Sequence, residues 1–398
     1  MSIQKIDETF ESYVNNNEIA GASLLVRRNG ETVYKNKWGF SNLEHGTPLE
    51  YDTLFRIMSM TKCITAVSVM ICVERGLLAL DDPLSKYIPE FKNMPVSDDP
   101  RYVFDEKKLK LLPFKLIGFS MKKVKRRPAA RELTIRDLLS HSSGLQQGLA
   151  GLLAMIKEKT QYETLKDYVL HYADYVLDFD PGTGTGYSPL AGFDILGYVI
   201  SLVSEKSLEE FMRDEIFVPL GMKDTTFFPN PEQKSRLCRV YKRKNNALSD
   251  VTGTKDDMAG TTKQKTIRYE QGAGGLFSTL EDYDRFGQML FNGGELDGAR
   301  ILTNGSVELL HTEAPLAHLE PDPGCVWGLG MKIRQDPEKG NLPVSAGTYG
   351  WSGAFGSHFY ISPEEGVQVT FMMNRSDIGG AGSYIIKKLE ELVPEAFQ

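Results

Sequence analysis

Strand-forming runs occupy both ends of this sequence and helix-forming runs fill its middle, which limits the fold more than any other feature. Near the start, GASLLVRRNGETVYKNKWGF holds two β-prone runs joined by Asn29-Gly30, the dipeptide of a type I′ hairpin turn. Ile6, Phe10, Tyr13 and Val14 precede it at helical spacing. Helical spacing returns from Ser59 to about Arg75, with Gly76 as a stop signal. Residues 77–259 are mainly helical patterns cut by Pro and Gly, such as TLKDYVLHYADYVL and FDILGYVISLVS. AGGLFSTLEDYDRFGQMLFNGG then predicts a helix capped by Ser278 or Thr279. Strand patterns follow in VWGLGMKIR, AFGSHFYIS and GVQVTFMMN, and a last helix is expected over residues 382–392. The fold class expected is mixed α/β: an antiparallel sheet built from both chain ends and flanked by helices, with an inserted, mainly helical lobe. The sheet domain takes residues 1–76 and 260–398, the lobe residues 77–259, and the site falls in the cleft between them.

A chain of 398 residues can bury a large core, and 41% hydrophobic with 25% charged residues is the composition of an ordinary globular protein. No apolar run is long enough to span a bilayer, and the start lacks the basic and apolar regions of a secretory signal. Cys63, Cys72, Cys238 and Cys325 are scattered and form no CxxC pair, as expected of reduced thiols. A cytoplasmic location is expected on these grounds. The net charge of -7 gives no reason to expect nucleic-acid binding. One segment runs against it: residues 101–131 carry eleven Lys/Arg against two Asp/Glu. It is read first as a solvated surface insertion, with a lid over the site and a membrane-surface or partner contact as alternatives.

The chemistry question centres on Ser-Met-Thr-Lys at residues 59–62. The S-x-x-K pattern occurs three times, at Ser2/Lys5, Ser59/Lys62 and Ser120/Lys123, so the pattern alone decides little. Ser2 lies at a terminus prone to fray, and Ser120 leads into KKVKRRP, where water keeps the lysine protonated. Only Ser59 begins a long apolar helix, where a spacing of three puts both side chains on one face, about 5–6 Å apart at Cβ. A serine hydroxyl is a weak nucleophile until a neighbour takes its proton, and a lysine with a pKa lowered by burial can do so. Taken alone, residues 59–62 read first as a capping serine and a lysine that reaches outward to solvent, with the nucleophile as the alternative.

Rival schemes are poorer. Gly350-Trp351-Ser352-Gly353-Ala354 approaches the G-x-S-x-G elbow but lacks the last glycine and lies between strand patterns. His45, His141, His171, His311, His318 and His358 form no ligand cluster, and each reads as a surface or core residue. Cys63 reads as an inert packing thiol. No metal or phosphate site is indicated.

Taken together, FRIMSMTK, LTIRDLLSHSSGL, DPGTGTGYSPLAGFDILGYVI, IFVPLGMKDTTF, GAGGLFSTLEDYDRF and AGTYGWSGAFGSHFYIS resemble, in order, the serine β-lactamase and penicillin-binding-protein superfamily. The resemblance covers nearly the whole chain and is strongest to the family VIII carboxylesterases. It implies that Ser59 is the nucleophile, that Lys62 and Tyr187 move protons, and that the backbone N–H groups of Ser59 and Ala354 form an oxyanion hole. Trp351, Ser352 and Gly353 match the third motif and imply substrate contact.

Two departures narrow the function. Ser188-Pro189 follows Tyr187, so the Asn that β-lactamases commonly carry two residues after the Tyr is absent, and its hydrogen bonds to an acyl amide and to Lys62 are lost. Trp351 replaces a cationic Lys with an apolar wall, although Arg375 would supply a cation if it faced the cleft. The activity expected is hydrolysis of carboxylic esters with short to medium acyl chains. The alternatives are a β-lactamase or D,D-peptidase, an acyltransferase or D-amino-acid amidase, and a non-catalytic binding protein. The expected partner is a small-molecule ester, with no cofactor, no metal, no nucleic acid and no integral membrane contact; self-association is left open.

Overall fold

A computed structural model describes residues 3–102, 117–157, 163–254, 256–257, 269–312 and 320–397. Its main sheet has eight strands. The amino-terminal end supplies β1 (Gly21–Arg28), β2 (Glu31–Asn42) and β3 (Thr47–Pro48). The carboxy-terminal end supplies β4 (Cys325–Trp327), β5 (Lys332–Arg334), β6 (Thr348–Ser352), β7 (His358–Ser362) and β8 (Val367–Met373). The order is β4-β5-β6-β7-β8-β1-β2-β3, antiparallel throughout. The two ends of the chain join where β1 meets β8, with Ala22 opposite Met373 and Arg28 opposite Val367. Asn29 and Gly30 take the positive φ angles, 51° and 84°, that the β1–β2 turn requires.

Seven helices matter to the site and its support: α1 (Gln4–Asn15), α2 (Thr61–Glu74), α3 (Ile135–Leu139), α4 (Leu165–Tyr172), α5 (Ala191–Ser204), α6 (Leu280–Phe291) and α7 (Tyr384–Phe397). Strand side chains alternate between faces, so the sheet has two apolar sides. On one, Leu24, Val26, Tyr360, Val369 and Phe371 pack with Ile6 and Phe10 of α1 and with Ile386, Leu389 and Val393 of α7. On the other, Leu25, Tyr349, Trp351, Phe359 and Met372 join a larger cluster that includes α2, α5 and α6. Within it, Ile64 and Val67 of α2 are buried with Leu138, Phe193 and Leu196, so sheet side and helical segment share one core.

Three sequence expectations are corrected here. VWGLGMKIR forms two short strands rather than one, because the chain turns back at Gly330, which has φ +84° and whose Cβ would lie 2.5 Å from Ala66 Cβ. The last helix runs on to Phe397, past Pro394, since Val393 and Phe397 are held in the apolar cluster beneath the sheet. The α2 helix proper begins at Thr61, after a 3-10 turn at Met58–Met60. The α6 cap is Thr279, whose side chain accepts the Asp282 N–H.

Within the basic segment, residues 103–116 fall outside the described residues, so that part of the insertion expectation does too. Its flanks meet: the Tyr102 and Phe119 rings stand edge to face at 5.3 Å. The flanking arginines are held by carboxylates, Arg101 by Asp99, Arg127 by Asp180 and Arg131 by Asp137. Among the described residues no helix is long and apolar enough to cross a membrane.

Candidate active site

The site starts from the turn before α2. Met58 has φ +48°, a left-handed conformation that is uncommon for a residue with a side chain and that marks Ser59 as held in a constrained position. Lys62 follows one helical turn later and is completely buried, at 0% exposure. Its Nζ lies 3.3 Å from Ser59 Oγ, 2.8 Å from the Pro189 carbonyl oxygen and 2.7 Å from the Ala273 carbonyl oxygen. The outward-reaching lysine is thereby excluded. Loop 271–276 is tied to α2 by two further bonds: Thr65 donates to the Gly272 carbonyl at 2.8 Å, and the Leu276 N–H donates to Thr61 Oγ1 at 3.2 Å.

Tyr187 reaches Ser59 from the loop before α5, its hydroxyl donating to Ser59 Oγ at 2.7 Å. Trp351, at the end of β6, donates from Nε1 to the same Tyr187 oxygen at 3.2 Å. Ser59, Lys62, Tyr187 and Trp351 therefore form one connected polar chain beside an aromatic wall. Gly353 lets β6 approach Ser59: a Cβ there would lie 2.5 Å from the Ile57 carbonyl oxygen. Ala354 packs with Met58 and Phe355, which brings the segment after β6 alongside the Ser59 turn.

Three expectations about this region change. Ser352 turns its hydroxyl to His358 Nδ1 at 2.7 Å, on the sheet face opposite Trp351, because neighbouring strand residues alternate. Its hydroxyl is thus turned away from the face that carries Trp351. Arg375 bonds Asp377 at 2.9 Å and the Glu18 carbonyl at 2.9 Å, so it supplies no free cation to the cleft. The bond to Lys62 expected to be lost with the missing Asn is instead supplied by the Pro189 backbone carbonyl. Lys332 Nζ sits 5.8 Å above the Trp351 ring and is paired with Asp322.

The other candidates fall away. Lys123 lies exposed on a short surface turn, and Ser2 is outside the described residues. Burial pushes the Cys63 thiol up to about 12, which leaves it unreactive.

Sequence reasoning missed two residues of the wall. Trp327 stacks on Tyr187 with ring centres 5.9 Å apart and meets Trp351 edge-on at 4.6 Å. His141 packs on Tyr187 at 5.0 Å and on Trp327 at 4.3 Å. Its Nδ1 accepts the Ser188 N–H at 3.1 Å, so the proton of the neutral ring is on Nε2. Burial, aided by the charge of Lys62, keeps the ring well below its ordinary pKa and hence uncharged. A polar pair, Ser-His, directly after the apolar end of TIRDLL was the signal available for His141. Trp327 gave none, since its position depends on the turn at Gly330.

This sheet, closed by both chain ends with the Ser59 turn packed against it, is the architecture of the serine β-lactamase and penicillin-binding-protein class. The chain belongs to the Beta-lactamase family, whose sequence profile matches residues 6–386. It is 26% identical to esterase EstB of Burkholderia gladioli over 404 residues, covering 96% of this chain and 93% of that protein. It is 30% identical to a lovastatin esterase of Penicillium rubens over 369 residues, covering 87% and 85%. Among solved structures, EstCE1, a hydrolase with promiscuous acyltransferase activity, superposes with a TM-score of 0.77 at 21% identity, covering 98% and 97% of the two chains.

Proposed function

We propose that this protein hydrolyses uncharged carboxylic esters through an acyl-enzyme on Ser59. The observation that carries the reading is that Ser59 Oγ meets both a buried amine and a phenol, Lys62 at 3.3 Å and Tyr187 at 2.7 Å. As an ammonium, Lys62 donates to three oxygens. When it loses the proton facing Ser59, the Pro189 and Ala273 carbonyls keep the other two and the lone pair is left facing the hydroxyl.

Ser59 then attacks the ester carbonyl as its proton passes to Lys62. The N–H groups of Ser59 and Ala354 receive the oxyanion. Tyr187 relays the proton from Lys62 to the departing alkoxide, leaving an acyl-serine and an alcohol. Water attacks the acyl carbon, its proton takes the same path back to Ser59 Oγ, and the acid leaves.

Ester preference over β-lactams or cell-wall peptides is supported by the Trp351 and Trp327 wall and by the engagement of Arg375 with Asp377. The names of the two esterase relatives support the same class. The test is intact-protein mass after exposure to a short-chain p-nitrophenyl ester, a phosphonate serine probe and a penicillin, with wild type beside Ser59→Ala. Ester turnover and phosphonylation that vanish in the variant, with little penicillin adduct, are expected. Stable penicillin acylation would favour the penicillin-binding reading. Added alcohols that divert the acyl group would favour acyl transfer, and an inert wild type would favour a binding protein.

A further inference from the structure

Lys62 is backed by a second buried group that the mechanism above does not use. Asp194, in the first turn of α5, is fully buried at 0% exposure. Its Oδ1 accepts the Ala273 N–H at 3.0 Å, and its Oδ2 accepts the Tyr172 hydroxyl at 3.2 Å. The carbonyl of the same Ala273 takes a Lys62 proton at 2.7 Å. One residue of loop 271–276 therefore joins a carboxyl group to the amine.

We propose that Asp194 is a positioning residue for Lys62: it fixes the Ala273 carbonyl and supplies the counter-charge for the ammonium formed when Ser59 is deprotonated. This rests on the reading of Ser59 as nucleophile and Lys62 as its base. A carboxyl without a contacting cation is costly to bury and is ordinarily left at the surface. At this position, instead, one oxygen is used on the residue that holds Lys62 and the other on Tyr172. Burial raises the carboxyl to about 7, while the Ala273 N–H, the Lys62 charge and the Tyr172 hydroxyl act the other way. The titratable groups facing Asp194 are Lys62 of α2, Tyr172 of α4 and Tyr269 of the loop segment. Those facing Lys62 from its other sides are Tyr187 and His141. When Ser59 gives its proton to Lys62, the amine becomes an ammonium, no proton is gained or lost by the site, and the ionised form of Asp194 supplies the facing negative charge.

Asp194→Asn keeps the shape and removes the charge: its amide oxygen still accepts the Ala273 N–H, and its NH2 group keeps the Tyr172 contact only with the hydroxyl accepting; Tyr172→Phe leaves the carboxyl without its hydroxyl partner. The experiment follows the pH dependence of Ser59 phosphonylation and of ester kcat/KM in both variants and in wild type. Loss of the negative charge makes the Lys62 ammonium less favourable. In Asp194→Asn the acid limb is expected to move down by about one pH unit and the plateau to fall about tenfold. Tyr172→Phe moves the limb the same way by less, and it decides the matter alone if Asp194→Asn does not fold. Profiles that superimpose on wild type, whatever the change in melting temperature, would reduce Asp194 to a structural residue and overturn the inference. A wild type not phosphonylated at Ser59 would instead sink the nucleophile reading, and this inference with it.

Discussion

Adjacent residues of one strand open onto two different serine clusters. Trp351 faces Ser59, Lys62 and Tyr187; Ser352 faces the opposite side of the sheet, where it bonds His358 Nδ1 at 2.7 Å and His358 Nε2 stands 3.2 Å from Glu390. By residue type the second cluster is the better copy of a serine, histidine and carboxylate relay. Its surroundings differ. Ser352 is 2% exposed and His358 0%, and a Cβ at Gly380 would lie 3.5 Å from Ser352 Cβ. Glu390 is also tied to Arg334 at 2.6 Å. Against the upward push of burial, Arg334 and His358 hold its carboxyl at about 2. The Ser59 cluster has a fully buried lysine held by two backbone carbonyls and a backbone segment that passes close by; the Ser352 cluster is a closed ion-pair network. Three suitable side chains are therefore less informative than what holds them and what can reach them.

The largest expected effect separates the clusters directly. Ser59→Ala lowers ester turnover by about 10⁴-fold or more and removes phosphonate labelling; retained turnover would point to a different nucleophile. Next, Lys62→Ala is expected to abolish acylation with the fold intact by circular dichroism, and Lys62→Arg should not restore it, since a guanidinium does not give up its proton. Tyr187→Phe follows, with a loss of about 10²–10³-fold in kcat that shows up equally in kcat/KM. A smaller change, about fivefold, is expected for Trp351→Phe, which keeps the ring and removes only the N–H to Tyr187; an unchanged kcat would confine Trp351 to packing.

The smallest effect on activity belongs to the second cluster. Glu390→Gln should leave kcat/KM within about twofold of wild type and act on stability instead. Glu390 has a folded-state pKa of about 2, below its ordinary 4.5, so its stabilising contribution is complete above about 4.5 and fades as the pH falls toward 2. Acid denaturation of wild type should steepen in that window, and the variant should lose this component. Identical acid unfolding curves would remove the network's proposed role.

Much of this was legible in the sequence because it is local. Asn29-Gly30 specified its turn, the Thr279 cap and acidic first turn specified α6, and the apolar run after Ser59 specified α2. The unread parts depend on contacts between distant segments. No feature of VWGLGMKIR shows that Gly330 must turn against Ala66, so the split strand and the place of Trp327 were out of reach. Arg375 looked available until Asp377, Glu18 and Tyr384 were found around it. The missing Asn suggested a lost bond, yet a backbone carbonyl, which any residue carries, holds Lys62 in its place. Asp194 stood within an apolar helical run, a signal of burial that gave no indication of which neighbour it would meet.

The pairing of β1 with β8 has a consequence for the timing of assembly. A ribosome releases α2 and its serine early, whereas Trp351, Gly353 and Ala354 emerge near the end, and the strand that completes the sheet core comes later still. Contacts so far apart in the chain form slowly and late. The segment that borders Ser59 and the strand that closes the sheet are thus the last parts of the architecture to be put in place.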